Sequence, residues 1–155
     1  MMNTFNNTAL ITGASSGIGK ELARIHAQKG GDLILVARRE EKLNEIKTSL
    51  EKTFGVSVMI IPKDLTHENS AKEIYEEVTA AEIEVDILIN NAGFGGLGKF
   101  HERNWETDLS MIQLNIIALA ALTRFFLPDF VQRNRGKILQ ISSTASLLPG
   151  PMQAV

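Results

Sequence analysis

The stretch that decides the fold is Thr12-Gly13-Ala14-Ser15-Ser16-Gly17-Ile18-Gly19, which follows an apolar run and leads directly into a helical pattern. Gly13 permits a tight turn, while Gly17 and Gly19 let a pyrophosphate and a neighbouring strand approach the backbone closely. The start of the helix then offers free N–H groups and the positive end of its dipole to phosphate. The stretch predicts a nucleotide-binding loop, although its G-x3-G-x-G spacing is not the common dinucleotide fingerprint and a plain turn is the alternative.

Short apolar runs recur along the chain, and each is followed by a longer helical pattern. They are rich in Ile, Leu and Val with little alternation, which is typical of strands buried on both faces of a parallel sheet. The runs are Thr8–Thr12, Asp32–Ala37, Val56–Ile61, Val85–Asn90 and Gly136–Ser142. Strands alternating with helices predict an α/β fold with a doubly wound parallel sheet of the Rossmann type. Ligands of such sheets bind at the carboxyl ends of the strands.

The helical patterns predict which faces pack against the sheet. The expected inward stripes are Ile18, Leu22 and Ile25; Leu43, Ile46, Leu50 and Phe54; and Ala71, Ile74, Tyr75 and Val78. Gly30-Gly31 is expected to close the first helix and Thr66 to cap the third. A fourth helix is predicted from about residue 105 to about residue 133. Its apolar stretch Met111–Leu127 is interrupted by polar residues and shorter than the roughly 20 residues of a membrane span, so we expect a buried helix.

Composition narrows the class of protein. The 155 residues fit one domain, and a net charge of −2 gives neither a basic surface for nucleic acid nor a polybasic segment for membranes. Without any cysteine, disulfides and thiolate metal sites are excluded, which suits a cytoplasmic protein. The histidines His26, His67 and His101 lack the spacing of metal ligands, so we expect no metal site.

Two arginines, Arg38 and Arg39, follow the second strand. NAD-binding folds usually place an acidic residue there, which accepts hydrogen bonds from the ribose 2′-hydroxyl and would repel a 2′-phosphate. Guanidinium groups bind phosphate with charge assistance and in a bidentate manner, so the pair favours NADP(H). The alternative is that both arginines belong to the solvated first turn of the second helix.

Polar residues also follow the later strands. Asp64-Leu65 comes after the third strand, where the carboxylate can accept a hydrogen bond from an adenine amino group or simply cap the next helix. Asn90-Asn91-Ala92-Gly93 follows the fourth strand, either as a tie between strand ends or as a flexible surface loop. Ser142-Ser143 follows the fifth strand, and Asn115 interrupts the apolar fourth helix, where its amide needs polar partners.

Taken together in this order, these motifs resemble the short-chain dehydrogenase/reductase family from Thr8 to Val155. The resemblance implies a pyrophosphate loop, a 2′-phosphate clamp, an adenine contact and a ribose-side loop. The corresponding residues are Gly13, Ser15, Ser16, Gly17, Ile18 and Gly19; Arg38 and Arg39; Asp64 and Leu65; and Asn91, Ala92 and Gly93. It also implies that Ser143 binds the substrate oxygen, with Ser142 as the alternative, and that Asn115 helps to hold a proton relay.

The implied function is an NADP(H)-dependent oxidoreductase that transfers a hydride between nicotinamide and a carbonyl or alcohol substrate. The family's tyrosine acid/base, paired with a lysine, commonly lies thirteen residues after the serine, which from Ser143 is the position following Val155. The one tyrosine present, Tyr75, is expected in the core. Residues 1–155 are therefore expected to be an incomplete NADP-binding Rossmann domain, truncated after the fifth strand and inactive alone. A non-catalytic NADP-binding module is the alternative, and a nucleoside-cofactor methyltransferase a more distant one.

The resemblance implies strand order 3-2-1-4-5 but leaves sugars, steroids, fatty acyl groups and small ketones open as substrates. The fifth strand would then be an apolar sheet edge, which invites pairing with another chain. Because the fourth helix is apolar nearly all round, a covering partner is expected there too. These features predict a homo-oligomer.

Overall fold

Strands and helices alternate along the chain in the computed structural model, which describes residues 7–148 and 150–153. The strands are β1 (Ala9–Thr12), β2 (Leu33–Ala37), β3 (Val58–Pro62), β4 (Ile87–Asn90) and β5 (Lys137–Gln140). The helices are α1 (Gly17–Gln28), α2 (Glu40–Phe54), α3 (Ser70–Ala80), α4 (Trp105–Ile112) and α5 (Leu119–Gln132). The π-helical segment Gln113–Ala118 joins α4 to α5, and 3-10 turns lie at Phe100–Glu102 and Thr144–Ser146. Residues 1–6, 149, 154 and 155 of the predicted domain lie outside the described residues.

The strands form one parallel sheet in the order β3-β2-β1-β4-β5. Ala9 is in register with Leu33 on one side and with Ile87 on the other, so β1 lies at the centre. The α/β class, the parallel pairing and the strand order are those predicted. The strands are shorter than the apolar runs because the outer residues of each run continue into loops.

Each face of the sheet carries its own hydrophobic core. Ile11 packs in the core with Leu43 of α2, whereas the preceding residue, Leu10, packs on the opposite face with Leu122 of α5. Successive side chains of a strand point to opposite faces, so every central strand contributes to both cores. This is why the runs contain so little polar alternation.

The inward face of α1 differs from the predicted stripe. Ile18 is 62% exposed and Ile25 is 42% exposed, while Gly19, Ala23 and Ala27 are buried. At Gly19 the helix lies so close to the glycine loop that no side chain would fit between them. Of the predicted stripe, Leu22 is half-buried against the core, as expected, whereas the prediction was wrong for Ile18 and Ile25.

The stripes of the next two helices were predicted correctly, but the cap of α3 was not. Leu43, Ile46 and Leu50 of α2 are buried, as are Ala71, Ile74 and Val78 of α3. Asn69, not Thr66, occupies the N-cap position of α3. The Thr66 N–H and hydroxyl instead donate to the Asp64 carboxylate, at 3.0 and 2.8 Å.

The helical stretch Trp105–Gln132 buries one face and exposes the other. Leu122, Phe126 and Phe130 pack inward, whereas Ile116, Ile117, Leu127 and Val131 are exposed. By length and composition alone, these 28 residues could cross a membrane. Of their apolar 18-residue stretch, 22% is buried. The argument from the length of the apolar stretch is therefore wrong for the whole helix, and the exposed face is the one for which a covering partner is expected.

Tyr75 lies in the interface between α3 and α5. Its ring stacks on Phe125 at 5.7 Å and meets Phe126 edge-on at 5.1 Å, and its hydroxyl donates to the Asp129 carboxylate at 3.1 Å. Burial raises the pKa of Tyr75, and the hydrogen bond to Asp129 raises it further. A tyrosine acid/base needs the opposite shift to work near neutral pH, so the prediction that Tyr75 is a packing residue holds.

Candidate functional site

A cleft of about 540 Å³ opens at the carboxyl edge of the sheet, where the loops after β1 to β4 converge. All the predicted cofactor-binding residues except Gly19 line it. These are Gly13, Ser15, Ser16, Gly17, Ile18, Arg38, Arg39, Asp64, Leu65, Asn91, Ala92 and Gly93. A second cavity, of about 390 Å³, involves Asp32, Lys47 and Glu51 near the start of β2, where two carboxylates disfavour a phosphate ligand.

The glycine loop is shaped by backbone conformation and by close approach. Gly13 and Gly17 have φ values of 67° and 54°, in the left-handed region that favours glycine. A Cβ on Gly19 would lie 2.5 Å from both the Gly13 carbonyl oxygen and Asn91 Nδ2, so any side chain there would clash. Gly19 therefore lets the first turn of α1 pack under the loop, while the N-terminal N–H groups of α1 remain available to phosphate.

The loop after β4 is held against the glycine loop by Thr12. The Thr12 hydroxyl accepts hydrogen bonds from the Asn91 and Ala92 N–H groups, both at 3.0 Å. In return, Asn91 Nδ2 donates to the Thr12 carbonyl at 2.9 Å. The asparagine therefore ties two strand ends together, as one of the two sequence interpretations predicted, and does not belong to a flexible loop.

The two arginines are held in different ways. Arg39 Nη2 donates to the hydroxyls of Ser15 and Ser16, at 3.1 and 3.2 Å, so it lies across the glycine loop. Arg38 lies with Nη1 3.9 Å from Asp64 Oδ2. Because α2 begins at Glu40, both arginines precede the helix, and the alternative that they form its first turn is wrong. Their positive charges flank the cleft from two directions.

Asp64 is kept as a hydrogen-bond acceptor at neutral pH. Burial alone would raise the pKa of this carboxyl, but the Thr66 N–H and hydroxyl, together with Arg38, lower it below its usual value. The neighbouring Lys63 also lines the cleft and pairs with Glu73 at 3.0 Å. Sequence reasoning missed Lys63, although its position one residue before Asp64 was the available signal.

Asn115 lies in the π-helical segment and clasps the loop after β4. Its Oδ1 accepts from the Phe94 N–H at 3.2 Å, and its Nδ2 donates to the Phe94 carbonyl at 2.8 Å. The amide thus has the polar partners that its place in an apolar helix required. A π-turn widens the helix by one residue and is frequent at functional sites.

Ser142 and Ser143 lie on the exposed loop that follows β5 at the same edge of the sheet. Ser143 Oγ accepts a hydrogen bond from the Ala145 N–H at 3.1 Å and so caps the turn Thr144–Ser146. The Gly98 N–H donates to the Met152 carbonyl at 3.0 Å, which links the loop after β4 to the loop after β5. The serines therefore border the region beside the cleft without lining it. Within the described ranges, no cluster of three or more His, Cys, Asp or Glu could hold a metal ion.

The fold and the site define a nucleotide-binding α/β protein of the Rossmann type, with its ligand cleft at the carboxyl ends of parallel strands. Residues 7–155 match the family model described as short chain dehydrogenase. The chain belongs to the short-chain dehydrogenase family.

Similar proteins of known name share this assignment. A Schizosaccharomyces pombe NADP-dependent 3-hydroxy acid dehydrogenase is 39% identical over 143 residues, which cover 89% of this chain and 54% of that protein. An Acinetobacter baylyi fatty acyl-CoA reductase is 38% identical, with coverages of 94% and 50%. The structure of a Sphingobium yanoikuyae short-chain dehydrogenase in complex with NADPH superimposes with a TM-score of 0.87 at 37% identity, with coverages of 92% and 56%. The chain thus spans about half the length of the curated relatives it matches.

The Thr12 hydroxyl gives the first test. Thr12→Val keeps the shape of this buried side chain but leaves two backbone N–H groups without their acceptor, which costs about 1–3 kcal/mol per buried donor. We expect lower stability in urea unfolding and weaker NADPH binding in a calorimetric titration. Thr12→Ser, which retains the hydroxyl, should recover most of both. A valine variant as stable as the parent would contradict the role given to this contact.

Proposed function

We propose that this chain is the NADP(H)-binding part of an oxidoreductase that interconverts a carbonyl and an alcohol. The observation that carries the proposal is the cleft itself, in which a glycine loop at a helix N-terminus faces two arginines and has no acidic residue at the end of β2. The match to the short-chain dehydrogenase family supports the reaction class.

The residues of the cleft fit the parts of NADP(H) one by one. The pyrophosphate would lie on the glycine loop and the N-terminus of α1, where Gly13 and Gly17 line the cleft and hold the loop in its left-handed backbone conformation. Arg38 and Arg39 would bind the 2′-phosphate from two sides, and Asp64 and Leu65 would contact the adenine. Asn91, Ala92 and Gly93 would border the ribose on the nicotinamide side. When bound, the nicotinamide supplies or accepts the hydride.

Ser143 is proposed to orient the substrate oxygen, with Ser142 as the alternative. Asn115 would act by holding the loop after β4 in place through Phe94. The acid/base is not Tyr75, which is engaged by Asp129. The family resemblance places the tyrosine that moves the proton thirteen residues after Ser143.

We further propose that the substrate carries a sizeable apolar group. Leu97, in the loop after β4, is 70% exposed. In the loop after β5, Leu147 is 80% exposed and Leu148 is 69% exposed. The Gly98 to Met152 hydrogen bond draws these two loops together. The name of the similar fatty acyl-CoA reductase agrees with this class of substrate.

Cofactor preference tests the two arginines. NADPH should bind more tightly than NADH by about tenfold or more, because a charge-assisted hydrogen bond contributes about 1.5–3 kcal/mol. Arg38→Asp or Arg39→Asp should remove or reverse that preference in calorimetric titrations. Arg24→Asp makes the same charge change on the exposed face of α1 and should preserve it. Equal affinities for the two cofactors in the unaltered protein would refute the NADP(H) assignment.

Turnover distinguishes the oxidoreductase from a non-catalytic NADP-binding module. Residues 1–155 alone should bind NADPH but reduce no carbonyl, because Tyr75 is their one tyrosine and lies in the core. In the protein that includes the catalytic tyrosine and lysine, long-chain ketones should be reduced, and Ser143→Ala should lower kcat far more than NADPH affinity. If Ser142→Ala does so instead, the two serines exchange roles. NADPH binding without any turnover in that longer protein would favour the module.

We also propose a cytoplasmic homo-oligomer, joined through β5 or through the exposed face that contains Ile116, Ile117, Leu127 and Val131. The net charge of −2 and the absence of cysteine support a cytoplasmic protein that does not bind nucleic acid, and the inward packing of Leu122, Phe126 and Phe130 supports a helix that does not cross a membrane. Within the described residues β5 is an outer strand of the sheet, and such a strand and an apolar helix face both favour association with a second copy.

Oligomeric state is measured directly by multi-angle light scattering. We expect a dimer or larger species at micromolar concentration in the absence of detergent, because a second copy would remove the exposed apolar side chains of the helix from water. Val131→Glu and Leu127→Glu, on that face, should shift the species toward monomer. A stable monomer of the unaltered chain would contradict the proposal.

A further inference from the structure

The hydroxyl of Thr123 joins α5 to the ends of two strands. Its proton is donated to the Leu119 carbonyl, one turn earlier in the helix, at 2.9 Å. Its oxygen accepts from Asn90 Nδ2 at 3.2 Å and from Gln140 Nε2 at 3.0 Å. A hydroxyl has one proton and two lone pairs, so these three contacts use its whole hydrogen-bonding capacity.

The two residues whose amides donate to Thr123 lie side by side on neighbouring strands. Asn90 of β4 is in register with Gln140 of β5, and the Asn90 carbonyl accepts from the Ile141 N–H at 2.9 Å. Asn90 is only 3% exposed, and no donor in the described part of the chain reaches its Oδ1. Thr123 therefore supplies the contact that orients this buried amide.

This arrangement lies directly beneath the candidate site. Asn91, which borders the cleft, follows Asn90, and Ser143 lies three residues after Gln140. Within the described residues, β5 pairs with β4 and contacts α5 through Gln140. The height of β5 relative to β4 therefore depends on the ladder between them and on the contact of Gln140 with α5.

We propose that Thr123 is a positioning residue for Ser143. Its hydroxyl holds the ends of β4 and β5 at one level against α5, so that the serine keeps its place relative to the nicotinamide end of the cleft. The inference rests on the proposed oxidoreductase function, and it assigns to Thr123 no contact with cofactor or substrate. A misplacement of about 1 Å at a reacting centre can lower a rate by about a hundredfold, so loss of this contact should affect kcat.

The experiment compares Thr123→Val and Thr123→Ser in the protein that includes the catalytic tyrosine and lysine. The valine variant should lower kcat by about tenfold or more, leave NADPH affinity nearly unchanged and speed amide exchange at Ile141. The serine variant, which keeps the hydroxyl, should restore all three values. Thr48→Val on α2 is the matched control, because the Thr48 hydroxyl makes the same type of bond, to the Asn44 carbonyl at 2.9 Å, far from the strand ends.

Gln140→Met provides a second variant if Thr123→Val does not fold. It removes one of the two amide donors from an exposed position while keeping a similar length, and it should lower kcat in the same direction. An unaltered protein that binds no NADPH or reduces no carbonyl would overturn the proposed function. In an active protein, two results would overturn the role of Thr123 while leaving the proposed function intact. One is a kcat of Thr123→Ser as low as that of Thr123→Val. The other is an unchanged kcat in both Thr123→Val and Gln140→Met. A parallel loss of NADPH affinity and kcat would also overturn that role.

Discussion

Between Thr12 and Gly17 the chain must pass from a buried strand into a helix whose free N–H groups face a ligand. The contacts of Thr12 with Asn91 and Ala92 make this turn possible, because they satisfy backbone groups that would otherwise be buried without partners. The absence of a side chain on Gly19 lets the helix approach closely enough for those contacts to form. The position of α1, the floor of the cleft and the path of the loop after β4 all depend on this one junction.

Charge is then distributed around a cleft whose shape is already set. Arg39 donates to two serine hydroxyls of the glycine loop, whereas Arg38 lies near the Asp64 carboxylate. The two guanidinium groups therefore have different partners and lie at different places in the cleft. Asp64 in turn is stabilised as a carboxylate by Thr66. The cleft therefore offers two guanidinium groups beside a carboxylate acceptor, which is the combination that the proposed binding of a phosphorylated adenosine requires.

The buried runs and the residues at strand ends were sufficient for the parallel sheet and most of the cleft, and the family resemblance supplied the strand order. The sequence was insufficient wherever packing distance decided the outcome. The inward face of α1 was inferred only in part: Leu22 packs against the core, but Ile18 and Ile25 are exposed, and the small residues Ala23 and Ala27 are buried in their place. Thr66 was mistaken for the N-cap of α3. Its N–H and hydroxyl instead bind Asp64, two residues earlier, and α3 begins only at Ser70. Nothing in the pattern of the fourth helix indicated a π-helical segment.

That segment explains why the long helix serves both the core and the site. In a continuous α-helix, the burial of Leu122 and Phe126 would also fix the direction of the Asn115 side chain, because the period of 3.6 residues sets the angle between them. The extra residue per turn between Gln113 and Ala118 rotates the first part of the helix relative to the second. Asn115 can therefore clasp Phe94 while Leu122 and Phe126 remain buried. The polar residues Asn115 and Thr123, eight positions apart, thus hold the loop after β4 and the ends of β4 and β5 from one continuous element.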